Sequence, residues 1–234
     1  MNAYPASPSI DSVLNEFLED QKRRLKPRTF LQYDTVVDLL RWSLERSTIP
    51  ADPKLAKAVE TARQKGQEDA VCSLCGPDEI ASGMSEFLGW FMIRHVAASP
   101  SLMRQAKTVT SKLTQWLAEH RYLDASSQEL LTESVGRTGP LLPKVATMRD
   151  RLSDWISQQS SSFPAGAVVT EGHFTIEEVT AKGWKIYDIM SDVHGEIPVP
   201  PQWLDPEQVG WEVSGAVASR GTQLKWVEIW NIYP

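Results

Sequence analysis

Residues 9–46 read SIDSVLNEFLEDQKRRLKPRTFLQYDTVVDLLRWSLER, and their apolar spacing decides the fold of the first part of the chain. Apolar residues recur every three or four positions on both sides of a basic link, which indicates two amphipathic helices. The two stripes are Ile10, Val13, Leu14, Phe17 and Leu18, and then Phe30, Tyr33, Val37, Leu40 and Leu44. Because Pro27 lacks a backbone N–H, it suits the first turn of the second helix. The stretch therefore predicts a helical hairpin with cations at its tip.

Further helical patterns follow along the chain. They lie at about residues 53–65, from Ile80 to Phe91, from Pro100 to Leu117, and from about Pro143 to Ser157. The region 124–143 is rich in Ser, Gly and Pro around a short apolar pattern at Leu130-Leu131. These patterns predict an N-terminal all-α helical bundle over residues 1–160.

The apolar period changes from 3.6 to 2 after residues 158–164, whose sequence QQSSSFP is typical of a linker. Alternating pairs include Phe174/Ile176, Trp184/Ile186 and Trp211/Val213, followed by Trp226/Glu228/Trp230. Five short strands in residues 165–234 predict a small antiparallel β-barrel of the OB or SH3-like kind. Prolines at 198, 200 and 201 predict an extended loop. The fold class expected for the whole chain is multidomain α + β.

Three blocks of the N-terminal part carry a family resemblance. The first block comprises Phe17-Leu18, Leu25-Lys26-Pro27-Arg28-Thr29, Tyr33, Leu39-Leu40 and Trp42. The second is Pro77-Asp78-Glu79-Ile80, and the third runs from Ser99-Pro100-Ser101 through Trp116-Leu117 to His120-Arg121-Tyr122-Leu123. Together they resemble the N-terminal core-binding (SAM-like) domain of phage integrases and tyrosine recombinases. The resemblance covers residues 9–124 and implies DNA binding related to recombination or integration.

Charge is distributed unevenly along the sequence. Residues 165–234 hold ten acids against four bases, whereas the first 164 residues are balanced, so the net charge of −6 belongs to the last third. Such a shift favours two domains with different partners. With no run of 18 apolar residues and no secretory pattern, we expect no membrane span. Two cysteines form no disulfide framework, so we expect a reducing cytoplasm.

The candidate DNA-binding residues form two groups. The first is the basic link, whose cations could neutralise phosphates: Lys22, Arg23, Arg24, Lys26 and Arg28. The second is the polar face of the helix beginning at Pro100, which carries no acid from 100 to 118: Arg104, Lys107, Thr108, Ser111, Lys112 and Gln115. Cations and hydroxyls contact phosphates, and Gln can read a base edge. For the basic link, the alternative is a solvated helix–helix loop.

The sequence predicts neither catalysis nor a cofactor. The integrase family is similar in carrying His-x-x-Arg and a nucleophilic Tyr, but none of the four histidines has Arg three positions later. Tyr233 is penultimate, with no recognisable activating residues around it in the sequence. Cys72-Ser73-Leu74-Cys75 is a lone C-x-x-C, whereas structural zinc normally needs four ligands. We therefore interpret the two cysteines as ordinary thiols.

Five of the nine tryptophans fall in residues 165–234, and Trp203 lies among prolines in a predicted loop. An exposed loop Trp is a common interface anchor, so Trp203 is a candidate partner-binding residue. The alternative is that it plugs one end of the barrel, and the strand edges make an oligomer possible as well. The leading functional hypothesis is a non-catalytic protein that binds duplex DNA weakly and a protein partner through its β domain. The alternatives are an adaptor without DNA binding and an enzyme with a site assembled from scattered residues.

Overall fold

The structure is a computed structural model that describes residues 8–96, 99–159 and 166–234. The chain is mixed α + β and divides into two compact units. The helical unit comprises the chain up to His95 together with Ser101–Pro140, and the sheet unit comprises Val96–Pro100 and Leu141–Pro234. The sheet unit therefore includes the helix before the predicted linker, which differs from the boundary expected at residue 165.

The helices follow the apolar patterns closely, with one interruption. The helix that begins at Asp78 widens into a π-helical segment at Phe87–Phe91 before its last turn. In chain order the helices are α1 (Ile10–Arg24), α2 (Pro27–Ser47), α3 (Pro53–Gln64), α4 (Ala70–Leu74), α5 (Asp78–Glu86), α6 (Met92–Arg94), α7 (Pro100–Glu119), α8 (Ala125–Thr138) and α9 (Leu142–Gln158).

The α1–α2 hairpin is fixed by a buried seam and a polar clasp. Its largest fully buried side chain is Phe17. The clasp is Arg41 of α2, whose Nε lies 3.0 Å from Asp11 Oδ1 and whose Nη2 donates to Asn15 Oδ1 at 2.7 Å. Ser9 caps α1 by accepting the Ser12 N–H, and Pro27 occupies the first turn of α2 as the sequence predicts.

Two helices were not evident from periodicity. The five-residue α4 begins where the Glu45 carboxylate of α2 accepts the N–H groups of Val71 (3.0 Å) and Cys72 (2.7 Å). Helix α8 spans most of the region that we interpreted as Ser/Gly/Pro-rich, because Asp124 caps its first turn through the Ser127 N–H. The cap of α4 comes from a residue distant in sequence, so no local pattern could predict it.

The sheet is open, so the predicted barrel is wrong. Its antiparallel strands are β1 (Val168–Val179), β2 (Gly183–Asp188), β3 (Val193–Pro198), β4 (Glu212–Arg220) and β5 (Gln223–Tyr233), in the order β3-β2-β1-β4-β5. Within the described residues no hydrogen-bonded ladder joins β3 to β5. The short β3 ends at a proline, which has no N–H to extend a ladder. The edge strand β5 packs against α9.

Helix α9 contacts the loop between β3 and β4 as well. This loop contains two single-turn 3-10 helices, Pro201–Trp203 and Pro206–Gln208. The buried Gln208 joins this loop to β2. Its Oε1 accepts from Trp184 Nε1 at 2.8 Å, and its Nε2 donates to the Trp203 carbonyl at 2.7 Å. Lys144 of α9 lies 3.7 Å from Glu207. The α9 helix is thus built into the sheet unit.

Two register shifts in the β4–β5 ladder change which residues of β5 face inward. Val217 opposes Trp226 and Ala216 opposes Glu228, but Gly215 already opposes Ile229. The predicted alternation Trp226/Glu228/Trp230 is therefore wrong at its end. Trp226 and Ile229 are buried, whereas Trp230 is 38% exposed. A bulge inserts one extra residue and so reverses the inward and outward faces beyond it.

Candidate nucleic-acid interface

The outer face of α7 carries all six predicted side chains in exposed positions: Arg104, Lys107, Thr108, Ser111, Lys112 and Gln115. The opposite stripe is buried and includes Met103, Leu113 and Trp116. Thus α7 separates its cations from its core face, as the apolar spacing predicts. The stem of Lys107 lies beside Gly139, at the end of α8.

The basic link is exposed too. Lys22, Arg23 and Arg24 form the last turn of α1, where cations interact favourably with the negative end of the helix dipole. Lys26 occupies the position just before α2, and Arg28 lies in its first turn. All five cations face solvent. We call these five residues, together with the six on α7, the basic surface.

A groove of about 270 Å³ connects the two halves of the basic surface. Arg24 lines it from the α1 side, and Lys112 and Gln115 line it from α7. Tyr33 and Trp116 add aromatic rings to its lining. The structure therefore brings together two segments that are almost 90 positions apart in the chain. Arg104 lies about 12 Å farther along the α7 axis, at 1.5 Å per residue.

Trp116 anchors α7 to α1 beneath this groove. Its ring packs edge to face against Phe17, with centroids 5.6 Å apart, and its indole N–H donates to Asp20 Oδ2 at 2.8 Å. Arg23 pairs with the same carboxylate. Because of these two partners, the pKa of Asp20 is lowered below its ordinary value. The aromatic contact and the charged hydrogen bond fix the spacing between the link and α7.

Ion pairs partly neutralise the basic surface. Lys22 lies 3.9 Å from Glu19, and Arg23 pairs with Asp20. In the part of the chain that the structure describes, no carboxylate lies within 4 Å of the other cations of the basic surface: Arg24, Lys26, Arg28, Arg104, Lys107 and Lys112. Glu119 also lines the groove and adds one negative charge there.

The hydroxyl and amide groups of α7 are oriented along the helix. Thr108 donates to the Arg104 carbonyl at 2.9 Å, Ser111 donates to the Lys107 carbonyl at 2.8 Å, and Gln115 donates to Glu119 at 2.9 Å. A phosphate accepts hydrogen bonds and donates none in its ionised form, so these side chains would have to rotate before contacting it. The lysines and arginines are therefore the residues prepared for phosphate contact.

The structure places the predicted partner-binding residue, Trp203, in the sheet unit. Its ring meets Trp155 of α9 edge to face, with centroids 6.5 Å apart, and it is half-buried. Trp230 is more exposed than the sequence suggested.

The two cysteines are buried in the helical unit and carry no disulfide. Burial raises the pKa of Cys72 above its ordinary range and raises the pKa of Cys75 to about 12, so both thiols stay protonated at neutral pH. The described residues contain no cluster of three or more His, Cys, Asp or Glu suited to a metal ion.

One cluster of polar and aromatic side chains could not be predicted from the sequence, because its members come from three strands. His173 of β1 hydrogen-bonds to Glu212 of β4, and its ring stacks on Tyr233 of β5 with centroids 6.1 Å apart. The pairing register of β1 with β4 places His173 next to Ser214, diagonal to Glu212. Tyr233 is buried, which distinguishes it from an accessible nucleophile.

No family model, curated protein or solved structure matches this chain. The resemblance to the integrase core-binding domain therefore rests on the motifs quoted above and stays a prediction. None of the helices within the described ranges is both long enough and apolar enough to cross a bilayer.

Proposed function

We propose that this chain is a non-catalytic DNA-binding protein whose helical unit is a core-binding-type bundle related to that of phage integrases. The basic surface contacts the phosphates of duplex DNA. The observation that carries this proposal is the groove in which Arg24 of the link and Lys112 of α7 meet. Two cationic segments on one surface can contact neighbouring phosphates, whereas two separate ones would act as isolated solvated charges.

The expected affinity is low and depends on salt. Non-specific binding in which cations neutralise a few phosphates has a Kd of roughly 10⁻⁴ to 10⁻⁶ M at physiological salt, and its logarithm changes with log salt by about 0.9 per phosphate. The net charge of −6 opposes approach to DNA, and the sheet-forming residues carry most of that excess. The Gln115 amide, the group on α7 suited to reading a base edge, already donates to Glu119, which favours binding without strong sequence preference.

Reversing two cations of α7 tests the surface. We expect the double variant Arg104→Glu, Lys107→Glu to weaken duplex binding about tenfold or more at 50 mM salt, and to flatten the log–log salt slope by roughly one unit per lost phosphate contact. Fluorescence anisotropy with a labelled duplex of random sequence measures both quantities.

The matched control is Lys54→Glu, Lys57→Glu on α3, which changes the net charge equally at exposed positions that do not line the groove. We expect at most a twofold effect there. Equal losses in the two variants would mean that net charge, and not this surface, governs binding. If the unaltered chain shows no binding at 50 mM salt, then DNA binding is excluded and the alternative function, a protein-interaction adaptor, takes its place.

We propose further that the protein neither cleaves nor rejoins DNA. The chain lacks the His-x-x-Arg of the resembling family, and the ring of Tyr233 is buried against His173. Incubation with a nicked duplex, followed by denaturing electrophoresis, should yield no covalent adduct. An adduct that disappears in the Tyr233→Phe variant would overturn this part of the proposal.

A protein partner of the sheet unit is the second half of the proposed function. Trp203 supports it because the ring packs on Trp155 but remains partly accessible. Capture from lysate with the full chain should lose its main partner on Trp203→Ser and keep it on Trp230→Ser. Intact capture together with a lowered melting temperature for Trp203→Ser would instead make Trp203 a structural residue.

A further inference from the structure

The sheet unit contains a cavity of about 520 Å³ that the proposed function does not use. It lies where the last turns of α9 meet the end of the β4–β5 hairpin, with residues of β3 on another side. A volume in this range accommodates a small organic ligand. All of the lining residues belong to the sheet unit.

The wall of the cavity is largely apolar and aromatic. Trp155 and Ile156 line it from α9, and Leu224 and Trp226 line it from β5. Trp226 is held rigidly, since its ring meets Phe174 and Trp184 edge to face at centroid distances of 5.8 and 6.4 Å. Flat indole surfaces favour a ligand with a flat apolar body.

One hydrogen-bond donor in this wall has no acceptor. The indole N–H of Trp226 is buried, and no acceptor within the described ranges lies at hydrogen-bond distance. The other core indole, Trp184, donates to Gln208 instead. An unsatisfied buried donor is unfavourable, but this nitrogen is closed to solvent and therefore offers no hydrogen bond to a ligand in the cavity.

Charge adds a further preference. The lining includes the cations Arg220 and Lys225 and one acid, Glu196. The Glu196 carboxylate already accepts a hydrogen bond from the Thr180 hydroxyl at 2.6 Å. Residues 165–234 carry four bases in total, and two of them line this cavity. The cavity is therefore locally cationic within an acidic part of the chain, which favours an anionic ligand.

We propose that this cavity binds a small amphipathic anion. The flat apolar body of the ligand lies against Trp155 and Trp226, and its carboxylate, sulfonate or phosphate group pairs with Arg220. The site is independent of the basic surface, which belongs to the helical unit.

Two fluorescent probes of similar shape test the site in the full chain. The anionic probe is 8-anilinonaphthalene-1-sulfonate, and the neutral one is N-phenyl-1-naphthylamine. We expect saturable binding of both probes at a single site, with the anion bound more tightly. Arg220→Gln should weaken binding of the anion about threefold to tenfold and leave the neutral probe unchanged, because only the anion loses a charge-assisted hydrogen bond. The control Lys182→Gln removes an exposed cation outside the cavity.

A variant that fills the cavity tests whether the probes bind inside it. Ile156 is half-buried in the wall, so Ile156→Trp should occupy the space with its larger ring and abolish binding of both probes. Circular dichroism checks that each variant stays folded, and Arg220→Gln decides the question if Ile156→Trp does not fold. Non-saturable binding, or equal losses of anion binding in Arg220→Gln and Lys182→Gln, would overturn the proposal.

Discussion

The helical unit and the sheet unit differ in how their sequences encode structure and charge. In the helical unit, apolar residues three and four positions apart define each long helix, and the opposite face of α7 collects exposed cations. In the sheet unit, bulges and a distant helix decide which side chains are buried. Local periodicity is thus sufficient where hydrogen bonds are local, and insufficient where they join distant strands.

The largest expected effect concerns the boundary of the sheet unit. A fragment of residues 141–234 contains α9, whose buried residues include Leu142, Val145 and Leu152, whereas a fragment of residues 165–234 does not. Each such side chain contributes roughly 1.5–3 kcal/mol when buried. We expect 141–234 to unfold cooperatively and 165–234 to show no cooperative transition, as followed by tryptophan fluorescence in urea. Equal unfolding midpoints would support the boundary at 165 and contradict the role of α9.

Two glycines offer a matched pair, one from each unit. A Cβ on Gly215 of β4 would lie 2.3 Å from the Glu228 carbonyl oxygen, so Gly215→Ala forces the β4–β5 ladder apart. We expect it to lower the free energy of unfolding by about 2–3 kcal/mol. Gly136 of α8 has open space around its Cα. There Gly136→Ala should raise the free energy of unfolding by about 0.5–1 kcal/mol, since Ala is the better helix former.

Urea titration of the two variants measures the difference directly. If the free energy of unfolding changes in the same direction in both variants, the contrast between close strand packing at Gly215 and an open helix surface at Gly136 is contradicted.

A smaller effect is expected from Asp20, which joins α1 to α7. Its pKa is lowered in the folded state by the hydrogen bond from Trp116 and by Arg23. The stabilisation is therefore complete above the unfolded pKa of about 3.9 and is lost as the pH falls through the lower folded pKa. Asp20→Asn should be less stable than the unaltered chain at pH 7, and the difference should disappear in strong acid. A difference that does not depend on pH would exclude a role for the carboxylate charge.

The long helices and the exposed basic residues could be predicted because each depends on one segment. Pro27 marks the start of α2, and the apolar stripe of α7 identifies its buried face, without any information from distant residues. Helix α4 could not be predicted, because its first N–H groups donate to the carboxylate of Glu45, which lies far away in the sequence on α2. The outward position of Trp230 depends on a register shift against β4. The groove could not be predicted either, because it depends on the hydrogen bond from Trp116 to Asp20. No spacing in the sequence indicates that contact.

A double-mutant cycle across the groove tests most directly the proposal that the link and α7 form one DNA-binding surface. The variants Arg24→Gln and Lys112→Gln each remove one cation, from opposite sides of the groove, and the combined variant removes both. Duplex affinity is measured by anisotropy at about 50 mM and about 200 mM salt. We predict a several-fold loss for each single variant, a larger loss for the combined variant, and a flatter salt dependence with each cation removed. Unchanged affinity in Lys112→Gln, with the loss confined to Arg24→Gln, would contradict a shared surface.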